Sequence, residues 1–162
     1  MTEVPQFLPD PSIRLANIQG NSVAGFSKDT QHFLFFEITN ADMARLWVAL
    51  LAGEVASGAE VAAFNSAFRS IVARRNLEPG AATGLEATWV NLAFTFSGLV
   101  KLGISAADQA HFPDDFRQGM RAGADRIGDT GPNSPGQWPN GIGHAGLDSV
   151  LILASDDADD LA

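Results

Sequence analysis

Thr88–Gly103 reads TWVNLAFTFSGLVKLG, and the change of period inside it decides how the rest of the chain is arranged. Val90, Leu92, Phe94 and Phe96 alternate with Trp89, Asn91, Ala93 and Thr95, the period of a β-strand. The second set is small or amphipathic rather than charged, so both faces can be covered and the strand is expected inside a sheet. At Ser97 the alternation stops. A serine can cap the free amides of a helix start, and Leu99, Val100 and Leu102 follow as a short helical turn closed by Gly103. A buried strand needs neighbours, and the chain offers two.

His32–Ile38 is the first, with Leu34, Phe36 and Ile38 on one face and Phe33, Phe35 and Glu37 on the other. So much apolar surface predicts a mostly buried strand. The second neighbour is His144–Ser155, where Val150, Ile152 and Ala154 oppose Leu151 and Leu153.

Helices fill the spaces between. Thr39 or Asn40 offers an N-cap, Asp42 suits the first turn, and Met43, Trp47, Leu50 and Leu51 form a stripe ending at Gly53. Val61, Phe64, Phe68, Ile71 and Val72 form another, with Arg69, Arg74 and Arg75 toward the end that favours cations and Glu78, Pro79 and Gly80 stopping it. Ser105 and Asp108 make a capping box for a short helix over Ala106–His111. Pro113 then opens a helix with Phe116, Met120, Ala124 and Ile127 on one side, weakened by Gly119 and Gly123. Gly131–Gly143, GPNSPGQWPNGIG, reads as a long loop with Trp138 as its anchor. ASDDADDLA at the end reads as a helix start capped by Ser155 or Asp156.

Residues 1–26 are expected to be an arm and loop: Pro5, Pro9 and Pro11 disfavour helix, and the Ile18–Asn21 segment IQGN carries turn chemistry. Residues 27–162 are expected to form one domain. Strand, helices, strand, helices, strand, helix start is the order of a ferredoxin-like α+β sandwich, three strands with helices on one face, whose last helix and fourth strand are missing. In that topology the fourth strand lies beside the first. Its absence exposes the edge of His32–Ile38, an association hazard, so the chain is expected to form a homo-oligomer or to take a strand from a partner or from a missing C-terminal half.

The 162 residues are 46% hydrophobic and 18% charged, enough for one core. A net charge of −9 repels nucleic acid and anionic lipid. With no cysteine, disulfides, thiolate metal sites and cysteine nucleophiles are excluded. MTEVPQFLPDP has neither a basic n-region nor an apolar run, and no segment approaches membrane-spanning length. The expectation is a cytoplasmic chain, although a mature secreted protein has the same composition.

The run VNLAFTFSGLVKLG closely resembles the first-domain strand of the dye-decolorizing (DyP-type) haem peroxidases, with its VNxAFT strand and GLxxLG turn. Three further segments fit that family in order: IQGN with Gly25 and Phe26, GDTGP at Gly128–Pro132 with Trp138 downstream, and LDSVLILASDD at Leu147–Asp157. The resemblance implies hydrogen-peroxide-dependent oxidation of bulky phenolic or dye-like substrates by a complete, haem-containing protein. In that family the proximal histidine lies in the C-terminal half of a much longer chain, and the distal Asp sits in a GxxDG motif followed by a distal Arg. None of these is present. Gly128-Asp129-Thr130-Gly131 has Asp in the second position and Gly in the fourth and does not match that motif, so Asp129 is read as a turn residue hydrogen-bonding at Thr130 and Gly131.

No catalytic, cofactor-binding or metal-binding residue is therefore assigned, and no haem is expected for this chain alone. His32, His111 and His144 are scattered without metal-site spacing; only His144 adjoins a flexible loop. Asp114 and Asp115 read as surface charge at a helix start. No GxSxG or phosphate loop occurs. Three readings follow: the N-terminal part of a DyP-type peroxidase, inactive alone; a non-catalytic ferredoxin-like binding or oligomerisation module of the same descent; or a chlorite-dismutase-type haem protein, which requires an unidentified histidine.

Overall fold

A computed structural model describes residues 14–22, 25, 28–76, 83–139, 142–144 and 146–162. The proline-rich arm of residues 1–13 lies outside the described residues, as do Phe26 and the stop signals at Glu78, Pro79 and Gly80. The chain divides into two units, Lys28–Val55 with Thr88–Ala162, and Met1–Ser27 with Ala56–Ala87.

The first unit is built on three strands, β1 (Thr30–Phe36), β2 (Thr88–Phe94) and β3 (Ser149–Ser155), in the order β1-β3-β2. Both outer strands run antiparallel to β3 and share its register: Leu34 and Leu92 face Leu151, and Phe33 and Asn91 face Ile152. This is the first part of a ferredoxin-like sheet, in which a fourth strand would lie beside β1.

β3, not β2, is therefore the interior strand. Apolar residues on both faces occur in both segments, so the pattern alone does not rank them; pairing does. Ser149, Leu151, Ala154 and Ser155 are buried. β2 buries Asn91 and Leu92 but leaves Ala93 exposed. β1 departs furthest from expectation. It begins two residues earlier than His32, ends at Phe36, and leaves Phe33, Leu34 and Phe35 52%, 43% and 40% exposed. Its hydrophobicity predicts burial, but among the described residues only β3 pairs with it.

Helix α1 (Ala41–Leu51) starts where Asn40 Oδ1 accepts from Met43 N at 3.0 Å. It packs through Trp47, whose ring lies 5.1 Å from that of Phe36. The buried side of the stripe is rotated from the expected one: Met43, Leu46 and Leu50 face solvent. Arg45 Nη1 donates to Leu102 O at 2.9 Å, tying α1 to the end of α3 (Phe96–Lys101). The cap of α3 is Thr95 rather than Ser97, with Thr95 Oγ1 accepting from Gly98 N at 3.1 Å. Ser97 lies inside the helix.

α4 (Ala106–Ala110) has the expected cap, with Asp108 N donating to Ser105 Oγ. The single helix expected after Pro113 is two, α5 (Asp114–Gln118) and α6 (Met120–Ile127), separated at Gly119. Gly119 has φ +76° and ψ 164°, a conformation open essentially to glycine alone. Among the described residues of the long loop that follows are the 3₁₀ turns Gly131–Asn133 and Pro135–Gln137, and Trp138 anchors it by donating from Nε1 to Asn133 O at 2.9 Å. At the end of the chain Ser155 Oγ accepts from Asp157 N, but the segment winds only into a 3₁₀ turn, Asp159–Leu161.

The second unit is built on a long helix, α2 (Gly58–Arg75), with its N-terminus clasped twice. Ser57 and Glu60 form a reciprocal capping box. Gly58 N donates to Ile18 O and Gly20 N to Ala56 O, both at 2.7 Å. The IQGN segment thus pairs with the start of α2. No helix among the described residues is long and apolar enough to cross a membrane.

Candidate functional site

Two features of the sheet unit concentrate polar chemistry. The first is Asp148, fully buried immediately before β3. Its backbone N–H donates to Phe36 O at the end of β1, and its carbonyl accepts from Thr95 N, both at 2.9 Å. Its carboxylate accepts from Ile38 N at 2.7 Å and from Lys101 Nζ at 2.6 Å. One residue thereby joins the ends of β1 and β2, the start of β3 and the body of α3. The approach of α3 is so close that a β-carbon at Gly98 would overlap the Asp148 carbonyl. This arrangement positions elements: the carboxylate is fully buried and spent on holding them together.

The second is a cavity of about 700 Å³. Phe94 and Phe96 enter it from β2 and α3, Phe116 and Met120 from α5 and α6, and Leu147 from the approach to β3. Phe96 packs edge-on to Phe112 and Phe116 at 6.0 and 6.2 Å, fixing one wall. Gly143 and His144 close another side, and the Trp138 ring lies against Gly143 so tightly that no side chain fits there. Charge enters from Asp115, Arg117 and Arg121. Arg117 pairs with Asp114, and Asp115 pairs with Arg126 at 2.6 Å. A smaller cavity of about 290 Å³ lies between α1 and the sheet, bounded by Phe36, Trp47 and Phe94.

The histidines are not brought together. His32 is exposed on β1. His111, at the end of its helix, donates from Nδ1 to Ala107 O, 2.8 Å away. His144 is exposed at the margin of the larger cavity. An axial haem ligand is normally held by a hydrogen bond from its other ring nitrogen inside an apolar enclosure. None of the three combines those properties, so these residues do not fit a haem site. Among the described residues no three His, Cys, Asp or Glu side chains converge as metal ligands.

Asp129 also departs from expectation. Its side chain makes no bond to Thr130 or Gly131; the turn is held by backbone, with Thr130 N donating to Gly128 O at 2.9 Å and Gly128 at φ +86°. Asp114 and Asp115 lie exposed in the first turn of α5, where surface charge at a helix start is expected, and each also pairs with an arginine, Arg117 and Arg126. Lys101 and Asp148 lie inside the GLVKLG and LDSVLILASDD segments but have no role assigned from sequence, and Arg121 lies in no motif. The one available signal was an Asp set directly before an apolar strand, where an isolated charge has to find partners.

The profile of the DyP dimeric alpha+beta barrel domain matches residues 17–162. The chain belongs to this family. It is the N-terminal portion of the DyP type, as the order of its four sequence segments implied. Peroxidase 2 of Mycetinis scorodonius is 28% identical over 149 residues, covering 92% of this chain and 25% of that protein. Dye-decolorizing peroxidase msp1 of the same organism is 28% identical over 173 residues, covering 99% of this chain and 29% of that protein. An ancestral D-type dye-decolorizing peroxidase superposes with a TM-score of 0.67 at 27% identity, over 91% of this chain and 28% of the other. The DyP chain described here thus spans less than a third of the length of these relatives.

Proposed function

We propose that this DyP-family chain serves as the N-terminal domain of a haem peroxidase that uses hydrogen peroxide to oxidise bulky phenolic or dye-like substrates. The match of residues 17–162 to the family, with relatives named as peroxidases, carries the reading. The haem ligand and the distal acid and arginine come from outside these residues. Haem bound to a complete protein would supply the peroxide chemistry; the part played by this chain is to hold a sheet and its helices in place against the rest. The isolated chain is inactive.

Haemin added to the purified chain tests this, with absorption spectra and peroxide-dependent dye oxidation as readouts. The expected result is a spectrum of free haemin and no turnover above free haemin. A Soret band of histidine-ligated haem, lost on His32→Ala, His111→Ala or His144→Ala, would overturn it. The nucleotide sequence following the Ala162 codon is expected to encode a GxxDG motif and a later histidine.

A second reading, a non-catalytic oligomerisation module, is favoured for the chain by itself by the exposed side chains of Phe33, Leu34 and Phe35 on β1. The two readings are compatible, because the same edge would receive either a second copy or the remainder of the protein.

A further inference from the structure

The geometry points to the 700 Å³ cavity as a binding site for a small aromatic carboxylate, held and not transformed. This goes beyond the peroxidase reading and is independent of it, since it requires neither haem nor peroxide.

Three observations carry it. The volume falls within the range of about 300–1,000 Å³ typical of small-molecule sites. The lining is aromatic where a planar ring would sit: Phe94, Phe96 and Phe116 surround the space, and Phe96 already meets its neighbours edge-on, a geometry that an incoming ring extends. Met120 adds a flexible, polarisable wall that adapts to ring outline.

The third observation is the charge balance. Of the ionised groups lining the cavity, Asp115 is neutralised by Arg126 and Arg117 by Asp114. Arg121 lines the same cavity and makes no ion pair among the described residues. In a chain of net charge −9, an uncompensated guanidinium beside an aromatic pocket selects for an anion. Its planar donor fork matches a carboxylate better than a spherical ion. A ring in the aromatic wall with its carboxylate at Arg121 satisfies both features at once.

The probe is 2-naphthoate, titrated into the 162-residue chain by calorimetry and by tryptophan fluorescence, since Trp138 backs the wall at Gly143. Saturable one-site binding is expected. Arg121→Gln should weaken it roughly tenfold or more, the scale of a charge-assisted hydrogen bond, and 2-naphthamide should lose the same factor against the native chain. Met120→Trp, which crowds the wall against which the ring would lie, should weaken binding. Absence of saturable binding would overturn the proposal. So would wild-type affinity in Arg121→Gln, or equal affinity for the amide.

Discussion

Lys101 Nζ and Asp148 Oδ2 lie 2.6 Å apart, joining α3 to the start of β3 across 47 residues of chain. The pair is asymmetric: the aspartate side chain is fully buried, while the lysine side chain is 38% exposed. The two partners should therefore differ in what their removal does. Asp148→Ala strands the Ile38 amide and frees α3, and is expected to destabilise by about 3 kcal/mol, a large part of a domain's total stability. Lys101→Met leaves a fully buried carboxylate that still accepts from Ile38 N but has lost its counter-charge, and should cost more, about 4 kcal/mol. Urea midpoints of the two variants measure the difference; equal losses would contradict it.

Gly98 is expected to tolerate no side chain. Alanine there gains about 1 kcal/mol of helix propensity but forces a methyl into the Asp148 carbonyl. The overlap dominates, and Gly98→Ala should lose about 2 kcal/mol net. Gly53→Ala is the control, because nothing lies within reach of a β-carbon at Gly53. That variant should unfold within about 0.5 kcal/mol of the native chain, since a surface substitution in open space changes little.

The capping box of α2 gives a pH dependence with a definite sign. Glu60 accepts from Ser57 N at 2.8 Å and from Ser57 Oγ at 2.7 Å, and the backbone bond first, then the hydroxyl, holds its carboxyl below the usual carboxylate pKa. A depressed folded pKa means that the stabilisation is fully present above the unfolded value of about 4.3 and is lost as pH falls through the folded value. Glu60→Gln should therefore lower stability at pH 7 and narrow its gap from the native chain toward pH 3. Ser57→Ala should lose about 1 kcal/mol at pH 7. A gap between Glu60→Gln and the native chain that is constant from pH 7 to pH 3 would refute the assignment.

β1 presents Phe33 and Phe35 on one face and Leu34 on the other, all exposed. The isolated chain is expected to self-associate through this strand. Light scattering coupled to size exclusion should report a dimer or larger species at tens of micromolar, shifted toward monomer by the Phe33→Lys, Phe35→Lys double variant. A native chain that stays monomeric and unfolds cooperatively would count against association.

Local signals were legible where one residue acts on its immediate neighbours. Asn40 caps α1 and Ser105 caps α4 because an N-cap needs only a short acceptor three residues before the amide it bonds. The same logic could have identified Ser57 and Glu60, which carry the S-x-x-E spacing, and could have preferred Thr95 to Ser97. Gly119 was read as a weakening of one helix, yet it divides two, because a positive φ is a property of the backbone path rather than of residue type. The cavity was not legible: Phe94, Phe116, Arg121 and His144 converge only after β2, α5, α6 and the loop before β3 have been placed.

Taken alone, the order of residues determined the three strands, the helices between them up to Pro113 and the α+β class, because period and capping are written over a few neighbouring positions. It also carried the family, through short motifs kept in order. Which strand is central, which face of α1 packs, and where Asp148 and Arg121 lie were decided only by the tertiary structure. Those outcomes depend on pairing between segments far apart in the chain, and an apolar strand reads the same from its own residues whether it has two neighbours or one.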